Sequence, residues 1–138
     1  MEKLKATQAA LRTMRKAARN GVVIGHTWNL IDLPIVIAGK TGTAEFGQPG
    51  PNGDLPFHNW FVSFVPKDPW DTKSDPRGWK AVERTDSNLA VLVFSYNAGT
   101  LGNSATETAK YFYQLHFHIK KDYRNFWLMK RGNYTRAD

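Results

Sequence analysis

The residue types best suited to chemistry lie together in one stretch of the chain: Lys40, Thr41, Gly42 and Thr43. A Gly-Lys-Thr sequence ends the loop that binds nucleotide phosphates, so phosphate binding is the first chemistry to consider. That loop needs a further glycine five residues before Gly39, where this chain has Pro34. It also needs a helix that begins at the lysine. The residues after Glu45 are too rich in glycine and proline to form one, and a phosphate-binding loop is excluded.

The same stretch offers a different chemistry if it forms a β-strand. Side chains alternate along a strand, so Thr41 and Thr43 share a side and their hydroxyls can hydrogen-bond a carboxylate together. The stretch resembles the Lys-Thr-Gly strand motif of the serine acyltransferases that bind penicillin, and this resemblance implies that Lys40 supplies a fixed positive charge beside a nucleophilic serine. Gly42 leaves room for a close approach to the strand. The backbone N–H of Thr43 can donate to a developing oxyanion, a contribution worth about 3 kcal/mol.

Two helices are predicted, one on each side of the region that contains the strands. Apolar residues recur at helical spacing over residues 4–19, and Asn20-Gly21 is expected to end that helix. Ser104 and Glu107 have the spacing of a capping box, which predicts the start of the second helix. Its predicted apolar stripe consists of Ala105, Ala109, Phe112, His116 and Ile119.

Three strands are predicted between the helices, at residues 33–46, 58–65 and 89–96, and the short connections favour an antiparallel meander. The fold class is therefore α+β, a three-stranded antiparallel meander flanked by N- and C-terminal helices. The last two strands are apolar on both faces, which indicates burial on both. A lone sheet of this kind leaves an apolar edge unpaired, which indicates that part of it is missing. The aromatic residues assigned to the core by their spacing are Trp60, Phe61, Phe64, Phe94, Phe112 and Tyr113.

The residues around the Lys-Thr-Gly sequence resemble class B penicillin-binding proteins. Residues 14–45 are similar to the helix, linker and strand that carry this motif in the family. Residues 58–66 (HNWFVSFVP) are similar to the family's next strand, usually close to His-Ala-Trp-Phe-x-Gly-Phe-x-Pro, with Ser63 at the usual glycine. The resemblance spans residues 10–118, including the last strand and the closing helix. It is closest to the elongation-type enzymes similar to penicillin-binding protein 2.

This resemblance implies the C-terminal half of a penicillin-binding/β-lactamase-like transpeptidase fold and a serine D,D-transpeptidase that cross-links peptidoglycan. The family's serine attacks a D-Ala-D-Ala peptide, releases D-Ala and passes the acyl group to an amine, and β-lactams trap that serine. The resemblance implies catalytic roles for Lys40 and Thr43 and substrate binding by Thr41, Gly42 and Thr43. It implies neither a metal nor a cofactor.

The family's site has two further parts, Ser-x-x-Lys and Ser-x-Asn, which precede Lys-Thr-Gly in the chain. Ser95-Tyr96-Asn97 spells the second part, but it follows the Lys-Thr-Gly motif and closes a strand, so we interpret it as coincidence. The isolated chain is therefore predicted to be inactive. The serines, none of which has a lysine three positions later, are Ser63, Ser74, Ser87, Ser95 and Ser104.

The resemblance also gives the expected domain organisation and partners. Residues 1–119 would form the C-terminal portion of the transpeptidase domain with a loop insertion at 67–88, followed by a basic aromatic tail at 120–138. The expected partners are the missing N-terminal half of the domain, D-Ala-D-Ala stem peptides and β-lactams. The parent protein would be membrane-anchored on the extracytoplasmic face of the bacterial inner membrane, in an elongation or division complex.

Composition limits the remaining alternatives. The 138 residues contain no cysteine, which excludes disulfides, cysteine zinc sites and a cysteine nucleophile. The net charge of +7 is concentrated at the two ends. No nucleic-acid partner is expected, although a small basic nucleic-acid binder stays an alternative that salt-dependent DNA affinity would favour. A second alternative is a non-catalytic module that binds cell-wall peptide or a protein partner, and a β-lactamase is the nearest catalytic neighbour.

Overall fold

A computed structural model describes residues 7–70, 75, 77–83, 87–98, 104–121 and 134–136. It contains a three-stranded antiparallel sheet with helices packed against it, so the predicted α+β meander is confirmed. A short 3-10 turn at Trp28–Leu30 precedes the sheet. The elements in chain order are α1 (Gln8–Val23), β1 (Ala38–Glu45), β2 (Phe57–Pro66), α2 (Trp79–Glu83), β3 (Ser87–Ser95), α3 (Ser104–His116), β4 (Ile119–Lys121) and β5 (Tyr134–Arg136).

The sheet has the strand order β1-β2-β3, with β2 in the centre. Lys40 lies opposite Val62 on β2, and Val62 in turn lies opposite Leu92 on β3. Because directly opposed residues of an antiparallel pair point to the same side, these three side chains share one face of the sheet. Among the residues that the structure describes, the outer edges of β1 and β3 pair with no further strand.

The main core lies on the other face of the sheet, where α3 packs. Phe61 and Tyr113 are its largest fully buried side chains. A smaller cluster forms on the Lys40 side, where α1 and α2 cover one end of the sheet near Ala38 and Phe64. The main core also contains Val22, Leu30, Leu33, Ile35, Ile37, Val65, Ala105, Ala109 and Ile119.

The sequence predicts that β2 and β3 are buried on both faces, and this prediction is wrong for one face. On that side Trp60, Val62, Leu92 and Phe94 are 37%, 56%, 61% and 44% exposed, because only its far end is covered in the described part of the chain. The core assignment of Phe112 is also wrong, since this ring is partly exposed and the neighbouring Tyr113 is the buried one.

Helix α1 continues past its predicted end at Asn20-Gly21, and the helix ends at Val23. Gly21 is needed for packing rather than for termination. A Cβ atom added to it would lie 2.7 Å from the carbonyl oxygen of Gly39, so only glycine lets the helix approach β1 this closely. At the other end of α1, the Thr7 hydroxyl accepts a hydrogen bond from the backbone N–H of Ala10 and caps the helix.

Two other local predictions are corrected. Strand β1 begins at Ala38 and not at residue 33, because residues 33–37 pair with no described strand and the backbone N–H of Val36 donates instead to the carbonyl oxygen of Pro69. The capping box of α3 does not form. The Glu107 carboxylate instead accepts a hydrogen bond from Asn29, and the Ser104 hydroxyl has no partner among the described residues.

The described part of the predicted insertion is held against α1. Arg19 of α1 is buried and donates hydrogen bonds to the carbonyl oxygens of Ile37 and Arg77, both at 2.6 Å. Burial lowers the pKa of Arg19 to about 10, while the charge of Asp75 raises it, so the guanidinium stays charged near neutral pH. The Asp75 carboxylate also accepts hydrogen bonds from two backbone N–H groups in the first turn of α2. We call this arrangement, in which Arg19 holds the insertion to the start of β1, the arginine clasp.

Ser63, at the position where the strand pattern compared above usually has glycine, has a specific partner in the core. Its hydroxyl shares a 2.7 Å hydrogen bond with the hydroxyl of Tyr113. Two opposing effects bring the pKa of Tyr113 to about 12. Burial raises the pKa, and the hydrogen bond with Ser63 lowers it by a smaller amount. The neutral phenol is therefore the form that the folded chain favours.

The pKa of Tyr113 is higher in the folded state than in the unfolded state, so its contribution to the free energy of unfolding depends on pH. This contribution is expected to be fully present below about pH 10 and to be lost as the pH rises through about 12. Between pH 8 and pH 11 the stability of the wild type relative to Tyr113→Phe should fall by about 1.4 kcal/mol. Urea unfolding at both pH values measures this difference, and any titration of Arg19, which both proteins keep, cancels in it. Tyr111→Phe, at an exposed position of the same helix, is the control. An equal pH dependence for the two variants would contradict the prediction.

The C-terminal region is described only in part. The backbone of β4 pairs with that of β5 in a separate two-stranded antiparallel sheet. Most of the predicted basic aromatic tail, residues 122–133 and 137–138, lies outside the described residues, as do residues 4–6 of the predicted first helix.

Candidate active site

The stretch with the candidate residues forms β1, an edge strand whose Lys40–Glu45 portion lies largely at the surface. The strand is fixed at its start. The carbonyl oxygen of Ile37 accepts a hydrogen bond from Arg19. The backbone of Gly39 packs against the Phe61 ring, and a Cβ atom added to Gly39 would lie 2.6 Å from that ring. The start of the strand is thus held by these contacts, and the residues that follow lie along an open edge that is largely exposed.

Lys40 is exposed on the same face as Val62. Its ammonium group donates a 2.6 Å hydrogen bond to the carbonyl oxygen of Thr41, the next residue on its own strand. The structure therefore places a charged donor at the start of the open edge, with a long side chain that can turn toward an incoming group.

Thr41 and Thr43 lie on the opposite side of the strand from Lys40 and Gly42, as the register with β2 requires. Thr43 is exposed and Thr41 is half-buried. Because β1 is at the edge of the sheet, a ligand along that edge can meet both threonines and the lysine. The four predicted site residues are thus contiguous on one strand edge.

A cavity of about 140 Å³ lies beside the candidate residues, between the end of α1 and β1. His26 and Thr27 line it from the turn that follows α1, and Lys40 and Thr41 line it from the strand. Sequence reasoning missed His26, which follows a predicted helix and carries no motif. Only the close contact of α1 with β1 at Gly21, which is a tertiary feature, brings this imidazole to the site.

Two glycines of the same strand are expected to respond differently to alanine. An added Cβ at Gly39 meets the Phe61 ring and a backbone oxygen within 2.8 Å, so Gly39→Ala should destabilise the chain by about 1–3 kcal/mol. At Gly42 the nearest atom would be 3.7 Å away, and Gly42→Ala should leave the free energy of unfolding within about 0.5 kcal/mol. Urea unfolding of both variants checks this. Equal losses would contradict it and would show that Gly42 is also required for packing.

The serines of the sheet are on the wrong side to act as a nucleophile beside Lys40. Ser63 is buried in the core face, where its hydroxyl bonds Tyr113 and the carbonyl oxygen of Val91. Ser95 lies opposite Asn59, on that same core face. The described site therefore offers a cation, two hydroxyls and an open strand edge, but no serine beside Lys40.

Two other kinds of site are absent from the described ranges. No three side chains of the types that bind metals come together there. No helix within those ranges has both the length and the apolar composition to cross a membrane.

Comparison with known proteins relates part of the chain to a protein family. Neither the curated proteins nor the solved structures include a significant match to this chain. The family model described as "Penicillin binding protein transpeptidase domain" matches residues 2–71, half of the chain. The matched segment contains α1, β1 and β2, and with them the Lys40–Thr43 edge. The chain therefore belongs to the penicillin-binding protein transpeptidase domain family.

Proposed function

We propose that this chain is the Lys-Thr-Gly part of a serine D,D-transpeptidase, which binds penicillin and cross-links cell-wall peptides through an acyl-enzyme. The observation that carries the proposal is the exposed edge from Lys40 to Thr43, which lies within the segment that matches the transpeptidase family. An open strand edge is the surface on which an extended peptide can lie and form backbone hydrogen bonds.

Each residue of this edge has a role in the proposed reaction. A serine oxygen attacks the carbonyl carbon between two D-Ala residues, and the N–H of Thr43 stabilises the oxyanion. The hydroxyls of Thr41 and Thr43 bind the terminal carboxylate of the peptide, and Gly42 gives it steric clearance. Lys40 stabilises the developing negative charge and relays the serine proton toward the nitrogen of the departing D-Ala. An amine of a second stem peptide then attacks the ester, forms the new amide and returns a proton to the serine.

The proposed subtype is a class B, elongation-type enzyme similar to penicillin-binding protein 2. The similarity of residues 58–66 to the strand after Lys-Thr-Gly in those enzymes supports this subtype. Its substrate is on the outer side of the inner membrane, so the proposed location is the extracytoplasmic face. The proposed partners are the half of the domain that carries Ser-x-x-Lys and Ser-x-Asn, and a complex for cell elongation or division.

The isolated chain is expected not to form a covalent adduct with a labelled penicillin, because none of its serines is followed by the lysine of Ser-x-x-Lys. Intact-protein mass spectrometry after incubation checks this. A mass increase of one penicillin would contradict the fragment interpretation and identify an activated serine in this chain. The protein in its source cells, tagged at the C-terminus of this chain, is the positive comparison and should become labelled.

The DNA directly upstream of Met1 tests the same proposal independently. A reading frame that encodes Ser-x-x-Lys and then Ser-x-Asn, continuous with this chain, is the expected result. A stop codon shortly before Met1 would instead favour a non-catalytic binding module.

A further inference from the structure

The turn that follows α1, residues 24–27, passes around the outer edge of β1. Before this turn, α1 packs on the Lys40 side of the sheet. After it, Leu30 and Leu33 lie in the main core on the opposite side. Because β2 occupies the other edge of β1, this change of side takes the chain past the outer edge, beside Gly39. The turn is therefore next to the start of the Lys-Thr-Gly stretch.

The turn is held in place by contacts with the end of α1. Thr27 is buried, and its hydroxyl donates a 2.7 Å hydrogen bond to the carbonyl oxygen of Gly21. A Cβ atom added to Gly25 would lie 2.5 Å from that same oxygen, so the backbone of the turn lies directly on the helix. His26, between these two positions, is exposed and lines the cavity beside β1. The backbone on both sides of His26 thus keeps this residue at the strand edge.

The turn gives the open edge of β1 a closed end. The carbonyl oxygen of Gly39 faces α1 at Gly21, so it points to the outer edge of the strand. Backbone groups of residues two apart in a strand point to the same edge, so the N–H groups of Thr41 and Thr43 are also directed there. An extended peptide that pairs with these two residues meets the turn beside Gly39. The peptide chain must therefore end at that point.

The cavity at this closed end has the chemistry of a site for a carboxylate. Its volume of about 140 Å³ is far above the roughly 10–15 Å³ that a single water needs, so a small polar group can enter it. Lys40, Thr41 and His26 line it, and none of its described lining residues is acidic. An ammonium group only donates hydrogen bonds, a hydroxyl can donate one, and an imidazole donates one when neutral and two when protonated. These donors together favour an anion.

We infer that His26 binds the terminal carboxylate of the substrate together with Thr41 and Thr43, and that the turn of residues 24–27 restricts the site to peptides with a free C-terminus. This inference rests on the proposed function and adds a substrate-binding residue to it. A peptide that runs antiparallel to β1 places its last residue at the closed end and the bond to be cleaved farther along, toward the N–H of Thr43. A peptide with a further residue at its C-terminus lacks the charge at this position and collides with the turn.

Penicillin and its methyl ester separate recognition of the carboxylate from a general effect on the fold, because the ester lacks the negative charge. The native protein is recovered from its source cells with a C-terminal tag, as wild type and as variants, and circular dichroism checks the fold. His26→Ala should lower the second-order rate constant for acylation by penicillin about tenfold, as expected for a lost hydrogen bond to a charged group, and leave that for the ester within about twofold. His26→Gln keeps an N–H donor and should recover part of the loss. His116→Ala, at an exposed histidine of α3, is the matched control and should react with penicillin at the wild-type rate.

Equal losses for penicillin and the ester would overturn the inference and assign His26 a structural role, as would a wild-type rate in His26→Ala. A native protein that penicillin does not acylate would contradict the proposed function, and binding to the purified 138-residue chain then decides the carboxylate site separately. There, acetyl-D-Ala-D-Ala should shift the NMR signals of the His26 imidazole, whereas the same peptide with an amidated C-terminus should not. Shifts with both peptides, or with neither, would overturn the inference.

Discussion

Replacing Arg19 by methionine is expected to lower the free energy of unfolding by about 3 kcal/mol, the largest effect on stability that we expect from a single charged residue. The change leaves the carbonyl oxygens of Ile37 and Arg77 without their charged donor. It also removes the positive charge near Asp75, which caps α2. Methionine keeps much of the side-chain volume, so the loss reports mainly on the arginine clasp. Urea unfolding followed by circular dichroism measures it.

Two further variants test the cause. Arg19→Lys retains the charge but not the fork of donors that reaches two carbonyl groups, so an intermediate loss is expected. Arg12→Met, at an exposed position of the same helix, should change stability by less than about 0.5 kcal/mol. If Arg19→Met and Arg12→Met cost the same, the buried hydrogen bonds of Arg19 contribute nothing measurable and the clasp has no energetic role.

The largest expected effect on activity is that of Lys40. In the native protein, Lys40→Met should lower the rate constant for acylation by penicillin by about 10²–10³-fold, as expected when a positioned charge at the reacting group is removed. The physical reason is the loss of the cation at the start of the open strand edge, and with it the proton relay that we propose for this residue. Gel-based labelling with a fluorescent penicillin over time measures the rate constant.

The two roles of Lys40 can be separated by arginine. Lys40→Arg keeps the charge but cannot release a proton near neutral pH, so substantial rescue would assign the electrostatic role and no rescue would favour the proton relay. Lys120→Met, an exposed lysine on β4, is the matched control and should acylate at the wild-type rate. A Lys40→Met protein that also acylates at the wild-type rate would contradict a role for this residue in the reaction.

The existence and order of the three strands, and the bounds of β2 and β3, could be predicted from the sequence because β2 and β3 have strong local patterns. Residues 58–65 and 89–96 are strand-length stretches rich in aromatic and β-branched residues, and the ends of β2 and β3 lie within two residues of the predicted ends. The candidate site was equally accessible, since Lys40 to Thr43 are consecutive and a strand edge brings them together without distant contacts. Patterns of this kind are fixed by neighbours in the chain.

The parts that could not be predicted depend on contacts between distant residues. Asn20-Gly21 has the composition of a helix end, but Gly21 is required for the approach of α1 to Gly39. Ser104 and Glu107 have capping-box spacing, but Glu107 is bonded to Asn29, 78 positions away. His26 reaches the site cavity only because α1 lies against β1. In each case tertiary packing replaces the local preference.

The exposure of Trp60, Val62, Leu92 and Phe94 has a different cause. The sequence predicts burial on both faces because hydrophobic composition reflects all the surfaces that a strand covers, including those supplied by other parts of the protein. The described part of this chain contains only one complete cover. The pattern and the exposure therefore disagree on the side of the sheet that carries Trp60 and Val62, where the described residues provide only a partial cover.

The arginine clasp also has a consequence for the order of events during synthesis on the ribosome. Helix α1 ends at Val23, whereas α2, the last element of the insertion that the clasp holds, ends at Glu83, 60 residues later. At about 5–20 residues per second, the ribosome needs roughly 3–12 s to make that interval. During this time Arg19 and the start of the Lys-Thr-Gly strand have no insertion to hold. Until then Arg19 can bond only the carbonyl oxygen of Ile37, so the clasp closes in two steps, with the bond to Arg77 formed second.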